Sequence, residues 1–200
     1  MTDRTFCYPH FVGNNDKPAA NSRAELENRL ARVFIEHGYE GASLSRLATA
    51  SGLGKASLYH HFPGGKAEMA SVLLTRAIAR LDKTAFSRLT KKQPAPVRLG
   101  RFVDAFSSYV DHGERPCLIA VLDHGALRAV HGDTIRRRFL SWGERLAATF
   151  EETGMKPRRA RRAASDLLAG LYGNLAMARM LDDASLFQRG TRRLKKDLPS

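Results

Sequence analysis

Cysteine and long apolar runs are both scarce in this 200-residue sequence, and each scarcity excludes a class of protein. The two cysteines, Cys7 and Cys117, are too few and too far apart for a disulfide framework or a zinc site. No stretch of about 18 apolar residues exists, so we expect no transmembrane span. The first residues lack an apolar run of signal-peptide length, which argues against secretion. A cytoplasmic protein is the expected class.

The motifs of common enzyme and metal sites are also missing. The adjacent His60 and His61 point about 100° apart on a helix, so they cannot share a metal ion as an i, i+4 pair could. His124 and His131 could share a helix face, but no acidic or cysteine side chain completes a ligand set beside them. The glycine-containing stretches fit turns and not a phosphate-binding loop. We therefore predict no catalytic residue, no metal site and no cofactor.

Basic side chains outnumber acidic ones, but most of the excess lies in the second part of the chain. There are 33 Lys and Arg against 20 Asp and Glu, which gives a formal net charge of +13. Residues 1–66 contribute about +2 of this, from eight basic and six acidic side chains, and residues 67–200 contribute about +11. A basic balance favours an anionic partner, with nucleic acid first and a membrane surface second.

The segment that begins at Ser43 has the pattern of a short helix followed by a tight turn. Ser43 is a suitable N-cap, because its hydroxyl can accept a hydrogen bond from a backbone N–H two or three residues later. Leu44, Leu47 and Ala48 then recur at helical spacing. Gly52 can adopt a positive φ, which lets the chain reverse within a few residues.

A second short helix is expected at residues 55–61, ended by Pro63-Gly64-Gly65. Leu58 is expected to point inward, toward a small core shared with the first helix. The other side chains of this helix face outward, and all of them except Ala56 can donate a hydrogen bond. A helix with a polar outer face of this kind is suited to a DNA major groove.

The string Leu58-Tyr59-His60-His61-Phe62, with Lys66 after it and Ala48 and Gly52 before it, resembles the DNA-binding domain of TetR (tetracycline repressor) family regulators. The close match covers residues 22–70, and the remainder fits the family in length and helical character. The resemblance implies base contacts by Lys55 and Ser57 and mostly phosphate contacts by the other predicted residues. The predicted DNA-binding residues are Ser43, Ser45, Arg46, Lys55, Ala56, Ser57, Tyr59, His60, His61 and Lys66. Gly64-Gly65 departs from the family pattern and leaves the placement of Lys66 open.

The whole chain is predicted to be all-α, because no useful strand-like alternation occurs. We expect a flexible N-terminal tail at 1–20, a three-helix helix-turn-helix DNA-binding domain at 21–67, and a helical ligand-binding and dimerisation domain at 68–200. Helices are expected at about 22–37, 66–90, 97–111, 117–131, 133–153 and 157–181. Gly132 is expected to end one helix and Asp133 to cap the next. The basic residues after Asp182 are expected to form a frayed end.

The helices at 133–153 and 157–181 carry wide apolar faces, which predict a homodimer through a four-helix interface. The alternative is that both faces belong to the core of one subunit. The resemblance further implies a pocket for a small apolar or amphipathic effector. Its candidate lining residues are Phe102, Phe106, Tyr109, Leu118, Leu122, Trp142, Tyr172 and Met177.

The predicted function is a non-enzymatic regulator, most readily a repressor, that binds a palindromic operator on double-stranded DNA as a dimer and is released by its effector. Two other hypotheses stay open: an architectural DNA-binding protein without an effector, and a helical binding module with a vestigial helix-turn-helix. No pattern in the sequence identifies the operator sequence, the effector or the regulated genes.

Overall fold

The computed structural model describes residues 22–90 and 92–200. Within these ranges every regular element is helical, which confirms the all-α class. The helices are α1 (Arg23–Gly41), α2 (Leu44–Ser51), α3 (Lys55–His61), α4 (Gly65–Thr84), α5 (Ala95–Tyr109), α6 (Leu118–Leu122), α7 (Gly125–Glu151), α8 (Pro157–Met180) and α9 (Ala184–Lys196), with 3₁₀ turns at Phe86–Leu89 and Asp111–Gly113. The predicted tail at 1–20, which includes Cys7, lies outside the described residues. None of the helices within the described ranges combines the length and apolar character that a bilayer span requires.

The first three helices share one small core. The Ser22 hydroxyl caps α1 by accepting from the Glu25 N–H at 3.2 Å. Leu30 and Phe34 of α1 are fully buried, as are Leu58 of α3 and Phe62 just after it. Burying large apolar side chains from each helix fixes the packing of segments that are too short to be stable alone.

The fourth helix ends at Thr84, six residues before the predicted end at Thr90. The chain tightens there into the 3₁₀ turn, which turns the Phe86 side chain into the body. The Phe86 ring stacks on Trp142 at a centroid distance of 4.7 Å and contacts Phe102 at 4.9 Å. The predicted continuation of the helix was wrong because this aromatic cluster requires a change of direction.

The predicted break at Gly132 was also wrong. Gly132 lies inside α7, which runs without interruption over Gly125–Glu151, and Asp133 is an exposed position within that helix instead of its cap. The break falls earlier, after α6, at Asp123. A glycine in a helix interior costs about 1 kcal/mol relative to alanine. Burial of Ile135 and the long packing of α7 on α8 outweigh that cost.

The last helix, α9, replaces the frayed end that was predicted after Asp182. The Asp183 carboxylate caps it by accepting from the Ser185 N–H at 2.9 Å. Phe187 is fully buried and Thr191 nearly so, four residues further along the same face. Phe187 packs on Gly113, where a Cβ atom would lie 2.7 Å from the Phe187 Cβ. The basic residues occupy the opposite face, so their charge did not prevent docking.

Candidate nucleic-acid interface

The turn between α2 and α3 is held by local hydrogen bonds. The Ser43 hydroxyl caps α2 by accepting from the Arg46 N–H at 3.3 Å, as predicted. Gly52 ends α2 with φ of 73° and donates to the Thr49 carbonyl at 3.2 Å. The buried Ser51 hydroxyl donates to the Ala48 carbonyl at 2.9 Å and accepts from a backbone N–H in the turn. These contacts set the direction in which α3 leaves the turn.

The third helix has one buried and one exposed side. Leu58 is fully buried, and Phe62, which follows the helix, is fully buried as well. The exposed side chains of α3 are Lys55, Ala56, Tyr59 and His60, whereas Ser57 and His61 are half-buried. Four of the six residues predicted to face outward are therefore exposed, and 45% of Tyr59 is accessible to solvent.

The predicted residues of α2 form a second exposed group at its N-terminal end. Ser43, Ser45 and Arg46 are all exposed. The Ser43 hydroxyl is engaged as the helix cap, and Arg46 Nη1 donates to the Gly41 carbonyl at 3.4 Å. Of this group, Ser45 presents a hydroxyl without a hydrogen bond inside the described part of the chain.

Lys66 is half-buried, and its ammonium group is engaged by Tyr39. Its Nζ donates to the Tyr39 carbonyl at 3.0 Å and lies 4.4 Å from the centroid of the Tyr39 ring. The preceding Gly65 has φ of 63° and packs against Tyr59, whose Cε1 would lie 3.3 Å from an added Cβ. Gly65, the second of the two glycines that depart from the family pattern, thus makes room for the Tyr59 ring, whereas a Cβ atom at Gly64 would approach Glu68.

Sequence reasoning missed the role of two α1 arginines in supporting this surface. Arg29 Nη1 donates to the Ser51 carbonyl at 3.2 Å, at the C-terminal end of α2. Arg23 Nη1 donates to the His61 carbonyl at 3.0 Å, at the C-terminal end of α3, and its guanidinium lies 4.1 Å from the centroid of the Phe62 ring. Each arginine also pairs with a glutamate four residues away, and that spacing was the available signal.

The eight residues predicted for an effector pocket differ in their burial. Four of them are fully buried in the core, namely Phe102, Phe106, Leu122 and Trp142. Met177 is half exposed on the surface of α8, so its predicted inward position was wrong. The stripe assigned to α8 places Leu175 and Ala178 inward, which turns Met177 outward.

Tyr109 and Leu118 do line a cavity, which lies between α1, α4 and the chain entering α6. Its volume is about 40 Å³, and Glu27, Asn28, Arg76 and Arg80 also line it. The pKa of Tyr109 lies above its ordinary value because burial disfavours the phenolate. Tyr172 lies close to Tyr109, because both rings contact Phe106, at centroid distances of 5.3 and 6.5 Å. The Tyr172 hydroxyl lies 3.7 Å from the buried Cys117 sulfur, and burial raises the pKa of Tyr172 as well.

A wide groove runs between α7 and α8 on the outside of the body. Its volume is about 630 Å³, and Phe139, Leu140, Gly143, Leu168 and Tyr172 are among the residues that line it. Leu140 is 56% exposed. This surface coincides with the two helices that the sequence assigned to a dimer interface.

Known proteins match this chain most clearly over the helix-turn-helix. The family model described as bacterial regulatory proteins, tetR family, matches residues 29–73. The HTH-type transcriptional repressor AcnR of Corynebacterium efficiens is 41% identical over 73 residues, which are 36% of this chain and 38% of AcnR. The HTH-type transcriptional activator FasR of Mycolicibacterium smegmatis is 29% identical over 98 residues, which are 49% of this chain and 44% of FasR. The aligned regions span less than half the length of these relatives.

Solved structures match the chain over most of its length. A TetR transcriptional regulator from Legionella pneumophila has a TM-score of 0.76 at 17% identity, covering 92% of this chain and 100% of that one. A TetR-family regulator from Agrobacterium tumefaciens has a TM-score of 0.72 at 20% identity, covering 90% of this chain and 100% of that one. Likeness at these identities establishes the fold alone. Residues 29–73 therefore match the helix-turn-helix of the tetR family, and the chain as a whole has the fold of the solved TetR-family structures.

Proposed function

We propose that this protein is a transcription regulator that binds duplex DNA through α3. The observation that carries the proposal is the division of α3 into a buried apolar side at Leu58 and an exposed side that bears Lys55, Ala56, Tyr59 and His60. A short helix supported in this way has the shape that enters a major groove. Lys55 can donate to the acceptors of guanine, and the Ala56 methyl can contact a thymine methyl. Ser57 is the second candidate for a base edge.

Contacts to the DNA backbone would come from the ends of the same two helices. Ser43, Ser45 and Arg46 lie together at the start of α2, where backbone N–H groups favour a phosphate. His60 and His61 lie at the other end of the surface, after Tyr59 on α3. Lys66 would reach a phosphate only after its hydrogen bond to Tyr39 is released.

The proposed regulator acts as a homodimer through α7 and α8. The groove between these helices is lined by Phe139, the exposed Leu140 and Leu168, and it forms an apolar surface that water covers in one isolated subunit. An apolar face of this kind on a helical bundle is typical of a subunit interface. A two-fold axis through it uses the same surface twice and presents two α3 helices to a palindromic site.

Repression relieved by a small apolar or amphipathic effector is the proposed form of control. AcnR, which is named as a repressor, supports this direction, and FasR, which is named as an activator, supports the opposite one. An effector that prefers a body conformation with wrongly spaced α3 helices weakens operator binding by its differential affinity for the two states. Since α4 joins the helix-turn-helix to the body, it is the element that would transmit the change.

Selection of bound sequences from a random duplex library at physiological salt tests the proposal. The Lys55→Ala/Tyr59→Ala double variant is selected in parallel. A palindromic consensus that the double variant fails to select is the expected result, and the consensus then serves for effector screens.

A sequence-independent architectural role is the second candidate, because residues 67–200 carry about +11 of the net charge. It predicts that the selection gives no consensus and that both proteins bind DNA equally, with a steep dependence on salt. That outcome would overturn the specific regulator.

A further inference from the structure

A single buried carboxylate links the α3 surface to the helix that leads into the body. Glu27 of α1 is 8% exposed. Its Oε1 accepts from Arg23 Nε at 2.7 Å, and its Oε2 accepts from Arg76 Nη1 of α4 at 2.8 Å. Arg23 in turn donates to the carbonyl of His61, the last residue of α3, at 3.0 Å. An unbroken series of charged contacts therefore runs from the end of α3 through α1 to α4.

We propose that Glu27 is a positioning residue that fixes the orientation of α3 relative to α4. This inference rests on the proposed DNA-binding role of α3, because the orientation matters only if α3 enters a groove. A displacement of α4 by changes in the body then reaches α3 through Arg76, Glu27 and Arg23. The contacts bias an existing arrangement of packed helices, as a coupling element must.

The end of α3 depends on this contact because the helix is only seven residues long. The last carbonyl groups of any helix lack partners within the helix. Arg23 supplies one of those partners at His61 and also covers the face of Phe62 at 4.1 Å. Glu27 Oε1 accepts from Arg23 Nε and so helps to hold the guanidinium where both contacts form.

We expect the contacts of Glu27 with Arg23 and Arg76 to affect the orientation of α3 more than the stability of the fold. The side chains of Arg23 and Arg76 are 46% and 34% exposed, so both can return to water when the Glu27 charge is removed. The core of Leu30, Phe34 and Leu58 remains to hold the helices together. Breaking a fully buried pair would instead leave an uncompensated charge.

The chain provides a matched control on the same helix. Glu25 Oε1 accepts from Arg29 Nε at 3.0 Å, and Arg29 donates to the Ser51 carbonyl at 3.2 Å. This arrangement repeats the glutamate, the arginine and the helix-end carbonyl, but it ends at α2, and neither side chain has a hydrogen bond or ion pair with α4 among the described residues. Glu25→Gln therefore disturbs a similar contact without touching the proposed link.

Hydrogen exchange of the whole protein tests the link without DNA. We expect Glu27→Gln to raise exchange of the last amides of α3 and of the α4 amides around Arg76 by about tenfold, as the loss of a charged hydrogen bond permits. Glu25→Gln should leave the α4 amides unchanged. Arg76→Met keeps the pair of Arg23 and Glu27, so it should raise the exchange of the α4 amides more than that of the last α3 amides. It serves as the test variant if Glu27→Gln fails to fold. Equal α4 exchange in Glu27→Gln, Arg76→Met and wild type would overturn the proposal.

A DNA measurement then separates positioning from general damage. Glu27→Gln should bind the selected palindrome about tenfold more weakly than wild type does. It should also lose the preference for the selected half-site spacing over operators whose spacer is one base pair longer or shorter. The dependence of its affinity on salt concentration should stay that of wild type. Glu25→Gln should keep the spacing preference. A Glu27→Gln protein that keeps wild-type affinity and spacing preference contradicts the inference. If wild type itself selects no palindrome, the DNA-binding proposal fails, and hydrogen exchange still decides whether Glu27 positions α3.

Discussion

The indole N–H of Trp142 on α7 donates to the Asp82 carboxylate on α4 at 2.8 Å. Arg145 and Arg138 of α7 also pair with Asp82, at 3.1 and 3.3 Å. Trp142 is fully buried, so its indole N–H needs a hydrogen-bond acceptor inside the body, and the Asp82 carboxylate supplies one. The contact joins α4, the helix proposed to transmit the effector signal, to α7, one of the two helices proposed to form the dimer interface.

We expect Asp82→Ala to destabilise the protein by about 1–3 kcal/mol, because it leaves the buried indole N–H without an acceptor. Urea denaturation followed by circular dichroism measures the change. The control is Asp104→Ala, which removes an exposed carboxylate paired with Lys195 at 2.8 Å and should cost about 0–1 kcal/mol. Equal losses for the two variants would show that the Trp142 contact adds nothing to stability.

The Lys55→Ala variant should reduce affinity for the selected operator by about 1–3 kcal/mol and relax the base preference at one position of each half-site. Competition binding against operators mutated at each position measures both effects. Lys92→Ala, on an exposed loop of the body, is the control and should change neither quantity. If Lys55→Ala instead lowers the affinity for every operator variant equally, and the affinity depends less steeply on salt concentration, Lys55 contacts a phosphate and not a base.

Leu140→Asp should convert the protein to monomers, because it places a charge in the centre of the α7 and α8 surface. Light scattering after size-exclusion chromatography gives the molar mass across a range of concentrations. Val97→Asp is the matched control, since Val97 is 43% exposed on α5, outside this surface. We expect Val97→Asp to keep the oligomeric state of wild type. If Leu140→Asp is still a dimer at micromolar concentration, the α7 and α8 surface is not the dimer interface.

Local patterns predicted the parts of the fold that local chemistry controls. The Ser43 cap and the turn at Gly52 are both as expected, because a hydroxyl cap and a left-handed glycine satisfy backbone groups within four residues. The docking of α9 was not predicted, because the burial of Phe187 depends on Gly113, far away in the sequence. The same holds for α7, where contacts with α8 override the helix-breaking tendency of Gly132.

In the candidate site, too, the features set by neighbouring residues were predicted, and the contacts between residues far apart in the sequence were not. The outward face of α3 follows from helical spacing alone, so Lys55 and Tyr59 were placed correctly on the surface. The hydrogen bond from Arg23 to His61 joins residues 38 positions apart, and the four-residue spacing of Arg23 and Glu27 indicates their ion pair but not this distant partner. The position of Met177 failed for a related reason, since an apolar side chain on a helix can belong to the core or to an exposed face.

Tyr172 should titrate only at strongly alkaline pH. Burial raises its pKa well above the ordinary value of 10.0, so the folded protein holds the phenol proton more tightly than the unfolded chain does. The stability that Tyr172 contributes is therefore fully present below about pH 10 and decreases as pH rises further. Absorbance of the phenolate near 295 nm during an alkaline titration, with unfolding followed in parallel, measures this behaviour. We expect Tyr172→Phe to remove absorbance only from the late phase of the titration. Loss of early absorbance in Tyr172→Phe would contradict burial of this phenol.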